Sequence, residues 1–279
     1  MANEDWGRRW YAAGESTYRM ELGCCAPIEN AQIVAEAGFD FIEPTVVRDL
    51  MPLSDDGEFA DKLRQLEGSV IPVGAFNSFV PGDLPITGED VDADALDRYV
   101  EVAVRRANAV GARTIVFGSG GARAVPEGFP RDRALGQIEG FLERAGPIAG
   151  QAGVRIAVEP LRGAECNIIN TVAEGDALSR SVTSPAVCVL ADLFHMGQED
   201  EPFENATKAG ENLIHVHIAD PTTRMAPAEG SDVYREFFSA LKRGGYDGAM
   251  SLECRWEDIK AQGRATMEFL RAEWQAAQI

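Results

Sequence analysis

The sequence predicts a single (β/α)8 TIM barrel, and three observations carry that expectation. Short apolar runs recur along the chain with amphipathic segments of helical length between them, the pattern of parallel strands joined by right-handed crossovers. Glycine stands just ahead of several of these runs, in AEAGFD, AVGART, QAGVRI and RGGYDG, as helix C-cap glycines do where they feed a strand. Four successive runs end on or near Glu159, Asp192, His217 and Glu253, and in a parallel barrel the functional groups collect at the carboxyl ends of the strands.

The elements follow in order. After a polar leader, residues 1–18, that holds Trp6 and Trp10, the first strand is expected at residues 19–24 and a helix from near Pro27 to Gly38. FDFIE supplies a second strand at 39–43, a helix around 59–66 precedes a third strand at 70–75, and a long helix over 92–110 leads to a fourth at 113–117. A helix over 131–149 enters the fifth strand, 154–159, and the remaining strands fall at 186–192, 213–218 and 248–253. Helices near 171–180, 203–209, 231–243 and 257–274 complete the count. No GxGxxG follows the first strand, so nothing signals the strand-order switch of a dinucleotide-binding sheet.

With 279 residues and 45% hydrophobic content the chain can bury a large core, and without a linker or low-complexity stretch it reads as one domain over 1–279. A net charge of −19 repels nucleic acid and anionic membrane, so neither is expected as a partner. Five cysteines, two of them adjacent at Cys24 and Cys25, show no CxxC spacing and suit a reducing compartment, hence the cytoplasm. The amino terminus lacks an apolar signal core, and no 18-residue apolar run occurs. Subunit number is not legible, and a homo-oligomer is compatible with the composition.

Alternation along a strand sets which residues share a face. If Glu159 points into the barrel, so do Arg155 and Ala157, leaving Val154, Ile156 and Val158 against the helices. On the same logic His215 and His217 point inward with Ile214, Val216 and Ile218 outward, and Ser251 and Glu253 point inward with Met250 and Leu252 outward. One strand-end carboxylate alone commonly caps a loop; four successive strand ends of this kind point to a metal site. Three carboxylates and an imidazole make an oxygen-rich set that suits Mn²⁺, Mg²⁺ or Co²⁺ better than thiolate-preferring Zn²⁺.

Other residues carry weaker readings. His215 is expected to be a buried structural histidine, a layer deeper than His217. Glu43 either hydrogen-bonds a substrate hydroxyl or is a structural polar group at the barrel rim. The GSGG run at 118–121 with Arg123 lacks a Walker lysine and reads as a tight turn before it reads as a phosphate cradle. Phe79 and Trp256 are core aromatics before they are pocket walls, and the cysteines fill space.

The segments IAVEPLRGAECNIIN, LADLFHM, HVHIADPTTR and MSLECRW, with FDFIEP and VFGSGGAR, resemble the sugar isomerase and epimerase superfamily with the xylose-isomerase-like barrel, particularly ketose 3-epimerases of the D-tagatose 3-epimerase type. The resemblance covers nearly the whole chain. It implies that Glu159, Asp192, His217 and Glu253 hold a divalent cation, with Mn²⁺ the first expectation, and that Glu159 and Glu253 are the catalytic pair. Glu165, His195 and Arg224 then take substrate-binding roles on a sugar or keto-sugar, and the reaction is C3 epimerisation of a ketose through an enediolate. His195 also has the plain reading of a histidine at a helix start.

Two departures stand out: Arg224 falls one residue later than in the epimerases, and Pro160, Leu161, Arg162 and Gly163 replace a run that usually contains Asn-Arg. A hydroxypyruvate-type isomerase, an inosose-type dehydratase or a lyase acting on a 3-keto-glycoside would use the same start, removal of a proton beside a carbonyl. An endonuclease on this barrel needs many histidines and a basic groove, and the chain has three histidines. A non-catalytic sugar-binding barrel would lack a ligand or base, and none is missing.

Overall fold

A computed structural model describes residues 20–279. The leader with Trp6 and Trp10, and Arg19 at the start of the first expected strand, lie outside the described residues. The first elements are β1 (Leu22–Cys25), α1 (Ala31–Ala37), β2 (Phe41–Glu43), α2 (Asp56–Glu67), β3 (Ala75–Phe76), α3 (Ala93–Ala109) and β4 (Thr114–Phe117). They are followed by α4 (Gly120–Arg123), α5 (Arg131–Gln151), β5 (Arg155–Val158), α6 (Val172–Ser181), β6 (Val187–Asp192), α7 (Leu193–Gln198) and α8 (Glu204–Ala209). The series ends with β7 (Leu213–Ile218), α9 (Val233–Arg243), β8 (Met250–Leu252) and α10 (Ile259–Ala276).

Local chemistry explains several boundaries. Asp55, Asp92 and Asp258 each accept a backbone N–H from the first turn of the helix they open, and Thr171 with Glu174 forms a reciprocal capping box on α6. Gly38 closes α1 in the left-handed region at φ 94°, where a side chain would be strained. No helix among the described residues is long and apolar enough to cross a membrane.

The strands form one sheet in the order β2-β1-β8-β7-β6-β5-β4-β3, and every pairing within it is parallel. Isolated parallel bridges between Ile42 and Val73 and between Thr45 and Asn77 bring the β2 and β3 edges together, so the barrel is nearly closed. The third strand starts later than its apolar run suggests. Val70 is exposed, and Pro72 offers only its carbonyl, which accepts from Ile42 N. Regular pairing with β4 therefore begins at Ala75. Short helices α4 and α7, directly after β4 and β6, go beyond the expected set.

Side chains of alternating strand positions separate into two cores. Ile115, Phe117, Ile156, Val158, Val187 and Val189 join the large apolar layer under the helices, where the Phe79, Phe117 and Phe141 rings lie 5.5–6.2 Å apart by centroid. Phe79 is thus a core residue, and Trp256 meets Phe39 edge-on against the same layer. Val116, Ala157, Cys188, Leu190 and Ile214 form a second cluster inside the barrel.

Ile214 was expected to face the helices and does not. The β6–β7 register shifts between Val189 and Leu190, so that Leu213 and His215 face consecutive residues of β6 and Ile214 is an extra residue. This bulge turns Ile214 into the inner cluster while His215 and His217 keep their inward aim. The Phe41 ring also fills the interior, and neighbouring strands make room for it. A Cβ at Gly23 would stand 2.2 Å from that ring and one at Gly74 2.5 Å.

Candidate metal and active site

The site is built on the carboxyl ends of β5 to β8. Glu159 follows β5 and is buried, with its backbone carbonyl held by Arg123 Nη2 at 2.6 Å while Arg123 Nη1 holds the Phe117 carbonyl at 2.7 Å. Arg123 thus clasps the ends of β4 and β5 from a fully buried position. The 118–121 segment is the entry to a short helix, and the arginine beside it is spent on backbone carbonyls.

Asp192 ends β6 and caps α7. Its Oδ1 accepts the backbone N–H groups of Phe194 at 2.6 Å and His195 at 3.2 Å, whereas the buried Oδ2 accepts no hydrogen bond from the described residues. From β7, His217 directs Nδ1 at Glu159 Oε1, 3.0 Å away, with Glu253 Oε2 at 3.9 Å and Asp192 Oδ2 at 4.0 Å. The four residues expected to share a cation therefore do meet in one place.

His195 lies there too. Ligand-capable atoms of Glu159, Asp192, His195 and Glu253 all fall within 4.8 Å of one another. The ring of His195 has its own constraint: Nδ1 accepts the backbone N–H of Arg162 at 3.2 Å, and Nε2 is buried without a hydrogen bond to the described residues. An accepting Nδ1 in a neutral imidazole leaves the proton on Nε2, so this ring presents a donor to the site.

Glu165 and Arg224 stand at the mouth. Arg224 donates through Nη2 to Glu253 Oε2 at 2.6 Å and through Nη1 to Glu165 Oε1 at 3.1 Å, and Arg162 Nε reaches the same Glu165 oxygen at 2.8 Å. Both guanidinium groups sit over the Phe194 ring, at 5.0 Å for Arg162 and 4.8 Å for Arg224. Arg224 adopts φ 59°, a left-handed backbone that is rare outside glycine and that concentrates at functional sites.

The site's electrostatics pull its two strand-end glutamates apart. Burial, then the neighbouring charge of Glu159, push the Glu253 carboxyl up to about 8. Burial also works to raise Glu159, but the charge and hydrogen bond of His217 overcome it and hold the group below the usual carboxylate range. Burial disfavours a charged His217, yet Glu43 and Glu159 on either side raise its pKa well above the ordinary value. Burial, with charge repulsion among the clustered carboxylates, is what keeps Glu253 protonated, and a divalent cation would relieve the repulsion. The orphaned Asp192 Oδ2 and the oxygen-rich donors fit a hard divalent cation.

Sequence reasoning left Glu43 undecided and gave no network role to Ser251. Glu43 is fully buried below the mouth, where it bonds His215, His217 and Ser251, so it is neither a rim group nor placed to meet a substrate hydroxyl. Their strand alternation was the signal available, since all four have inward parity.

The profile of the xylose isomerase-like TIM barrel family matches residues 31–273. D-psicose 3-epimerase of Agrobacterium fabrum is 34% identical over 106 residues, 38% of this chain and 36% of that protein. L-ribulose 3-epimerase of Mesorhizobium japonicum is 28% identical over 223 residues, 78% of this chain and 72% of its own length. The 3-dehydro-D-guloside 4-epimerase of Escherichia coli is 28% identical over 127 residues, 44% of this chain and 48% of that enzyme. The match to the first of these relatives thus spans little more than a third of its length. Among solved structures, D-psicose 3-epimerase in the presence of D-fructose superposes with a TM-score of 0.75 at 21% identity, covering 92% of this chain and 98% of that one. The apo 3-keto-D-glucoside 4-epimerase from E. coli gives 0.74 at 22% identity over 91% and 100%. At such identities the superpositions speak for the fold alone.

Proposed function

This chain belongs to the xylose isomerase-like TIM barrel family, and on that premise we propose that it is a divalent-metal-dependent sugar epimerase that inverts C3 of a ketose. The observation that carries the reading is the meeting of Glu159 and Glu253, from the ends of β5 and β8, beside His217 Nδ1 and within 4.8 Å of Asp192. Glu159, Asp192, His217 and Glu253 would hold the cation, with Mn²⁺ favoured and Mg²⁺ or Co²⁺ as substitutes. When bound, such a cation acts as a Lewis acid on a carbonyl oxygen and its neighbouring hydroxyl.

The residues divide the remaining work. Glu159 is suited to take the carbon-bound proton and Glu253 to return one on the opposite face, because the two carboxylates reach the same site from different strands. His195 donates from Nε2 to a substrate oxygen, and Glu165 with Arg224 clamps the substrate at the mouth. A reducing, cytoplasmic setting belongs to the same proposal and rests on five free cysteines.

The 4-epimerase relative supports a second reading, proton abstraction beside the carbonyl of a 3-keto-glycoside. Arg162 favours keeping it in view, because its side chain ties Glu165 and Gln198 together where the ketose epimerases carry a different pair. The test is incubation of Mn²⁺-loaded protein in heavy water with a panel of ketoses and 3-keto-glycosides, followed by product analysis. Inversion at C3 of a ketose with solvent deuterium on that carbon is the expected result. Inversion at C4 of a keto-glycoside selects the second reading, and retention of the original hydrogen rejects a two-base epimerase.

A further inference from the structure

Behind the cation-binding face of His217 lies a second carboxylate. Glu43, on β2, reaches past β1 to side chains of β7 and β8, since the local strand order is β2-β1-β8-β7. Its Oε1 lies 2.9 Å from His217 Nε2. Its Oε2 accepts from Ser251 Oγ at 2.6 Å and lies 2.8 Å from His215 Nε2, and those two partners are 3.2 Å apart. Glu43, His217 and Ser251 are all fully buried, so water does not compete for these bonds.

The two nitrogens of His217 therefore look in opposite directions. Nε2 faces Glu43, and Nδ1 faces Glu159, Asp192 and Glu253. An ionised carboxylate only accepts, so the bond to Glu43 requires the proton on Nε2. Without a cation, Nδ1 also carries a proton and donates to Glu159; a cation would displace that proton, and the one kept on Nε2 by Glu43 leaves the lone pair on Nδ1, the nitrogen aimed at the carboxylate set. Metal-binding histidines are commonly held in one tautomer and one orientation by a carboxylate on the other ring nitrogen. Glu43 is held in turn: with Oε2 engaged by His215 and Ser251, its carboxylate cannot swing away from His217.

We propose that Glu43, braced by His215 and Ser251, is the positioning residue that fixes the Nε2–H tautomer of His217 and presents Nδ1 to the cation. The inference rests on His217 being a cation ligand, as the proposed function has it. It adds a functional assignment on β2, a strand that supplies none of the ligands.

The test compares wild type with Glu43→Gln, Glu43→Ala, Ser251→Ala and Asp192→Asn. Mn²⁺ affinity is measured by calorimetry, and the ring nitrogens of His217 are read by ¹⁵N NMR in Mg²⁺-loaded protein. Loss of such a carboxylate typically weakens metal binding by about 10–100-fold. The affinity order expected is wild type, then Glu43→Gln, which keeps one acceptor oxygen, then Glu43→Ala, with the Nε2–H signature of His217 lost in Glu43→Ala. Ser251→Ala leaves Oε1 in place and is expected to weaken affinity by less than Glu43→Ala, which preserves the test if the latter fails to fold.

Wild-type affinity and an unchanged His217 signature in folded Glu43→Gln and Ser251→Ala, beside lost affinity in Asp192→Asn, would overturn the positioning role and leave the cation site standing. Wild-type protein that binds no divalent cation would overturn the site itself, and this proposal with it.

Discussion

Gly118 leaves open the space that the Glu159 carboxylate occupies: a Cβ at residue 118 would stand 2.4 Å from Glu159 Oε2. Contacts that close do not persist, so in Gly118→Ala either the carboxylate or the end of β4 must move. The backbone carbonyl of Glu159 is pinned by Arg123, so the side chain is the part expected to yield. We expect at least about a tenfold loss in kcat/KM, about 1.4 kcal/mol of transition-state stabilisation, with unfolding changed much less. Kinetics paired with urea denaturation check this, and near-normal turnover would show that Glu159 tolerates displacement.

Arg123 supports the same corner from below. Arg123→Met strips the Phe117 and Glu159 carbonyls of a buried donor, each loss costing about 1–3 kcal/mol. Arg123→Lys keeps the charge, but a single ammonium does not reproduce the two-pronged guanidinium contact. Both variants are expected to shift the denaturation midpoint downward, Met more than Lys. Equal stability of all three proteins would mean that the clasp contributes nothing net.

The legible part of this molecule is the part in which sequence period and chemistry coincide. Strand runs of β-branched residues with a titratable group at the end, such as LIHVHI, disclosed both the barrel and the four side chains that meet beside His217 Nδ1. The third strand was misplaced because VIPV has strand composition, while Pro72 restricts pairing, a matter of one missing donor. Ile214 was turned the wrong way because a bulge inserts one residue without changing the apolar pattern. The partners of Glu43 were hidden for a different reason: they come from β7 and β8, more than 170 residues away along the chain.

The elevated Glu253 carboxyl makes a prediction about stability in protein stripped of divalent cations. Its folded pKa, about 8, lies above the ordinary value of about 4.3 expected in the unfolded chain. Its contribution to stability is therefore complete below about pH 4.3 and is lost as pH rises through about 8, because the charged form is disfavoured only in the folded state. Between pH 5 and about 8 the chelated wild type should lose stability more steeply than Glu253→Gln, which cannot ionise. Parallel pH profiles for the two proteins, measured by denaturant unfolding in a chelator, would contradict the assigned direction.

His195 separates two roles that proximity alone does not. Its Nε2 lies 3.9 Å from Asp192 Oδ2, close enough to be taken for a cation ligand, yet its Nδ1 is occupied by the Arg162 backbone N–H and Nε2 retains the proton. A protonated nitrogen donates a hydrogen bond and does not coordinate. His195→Ala is therefore expected to hold Mn²⁺ within about twofold of wild type while kcat/KM falls about tenfold, the loss of one hydrogen bond to substrate. His195→Gln, which restores a donor on a chain of similar reach, should recover part of that rate. Calorimetry of the metal-free proteins and steady-state kinetics of the loaded ones distinguish the cases. A collapse of Mn²⁺ affinity in His195→Ala, in step with Asp192→Asn, would make His195 a ligand after all.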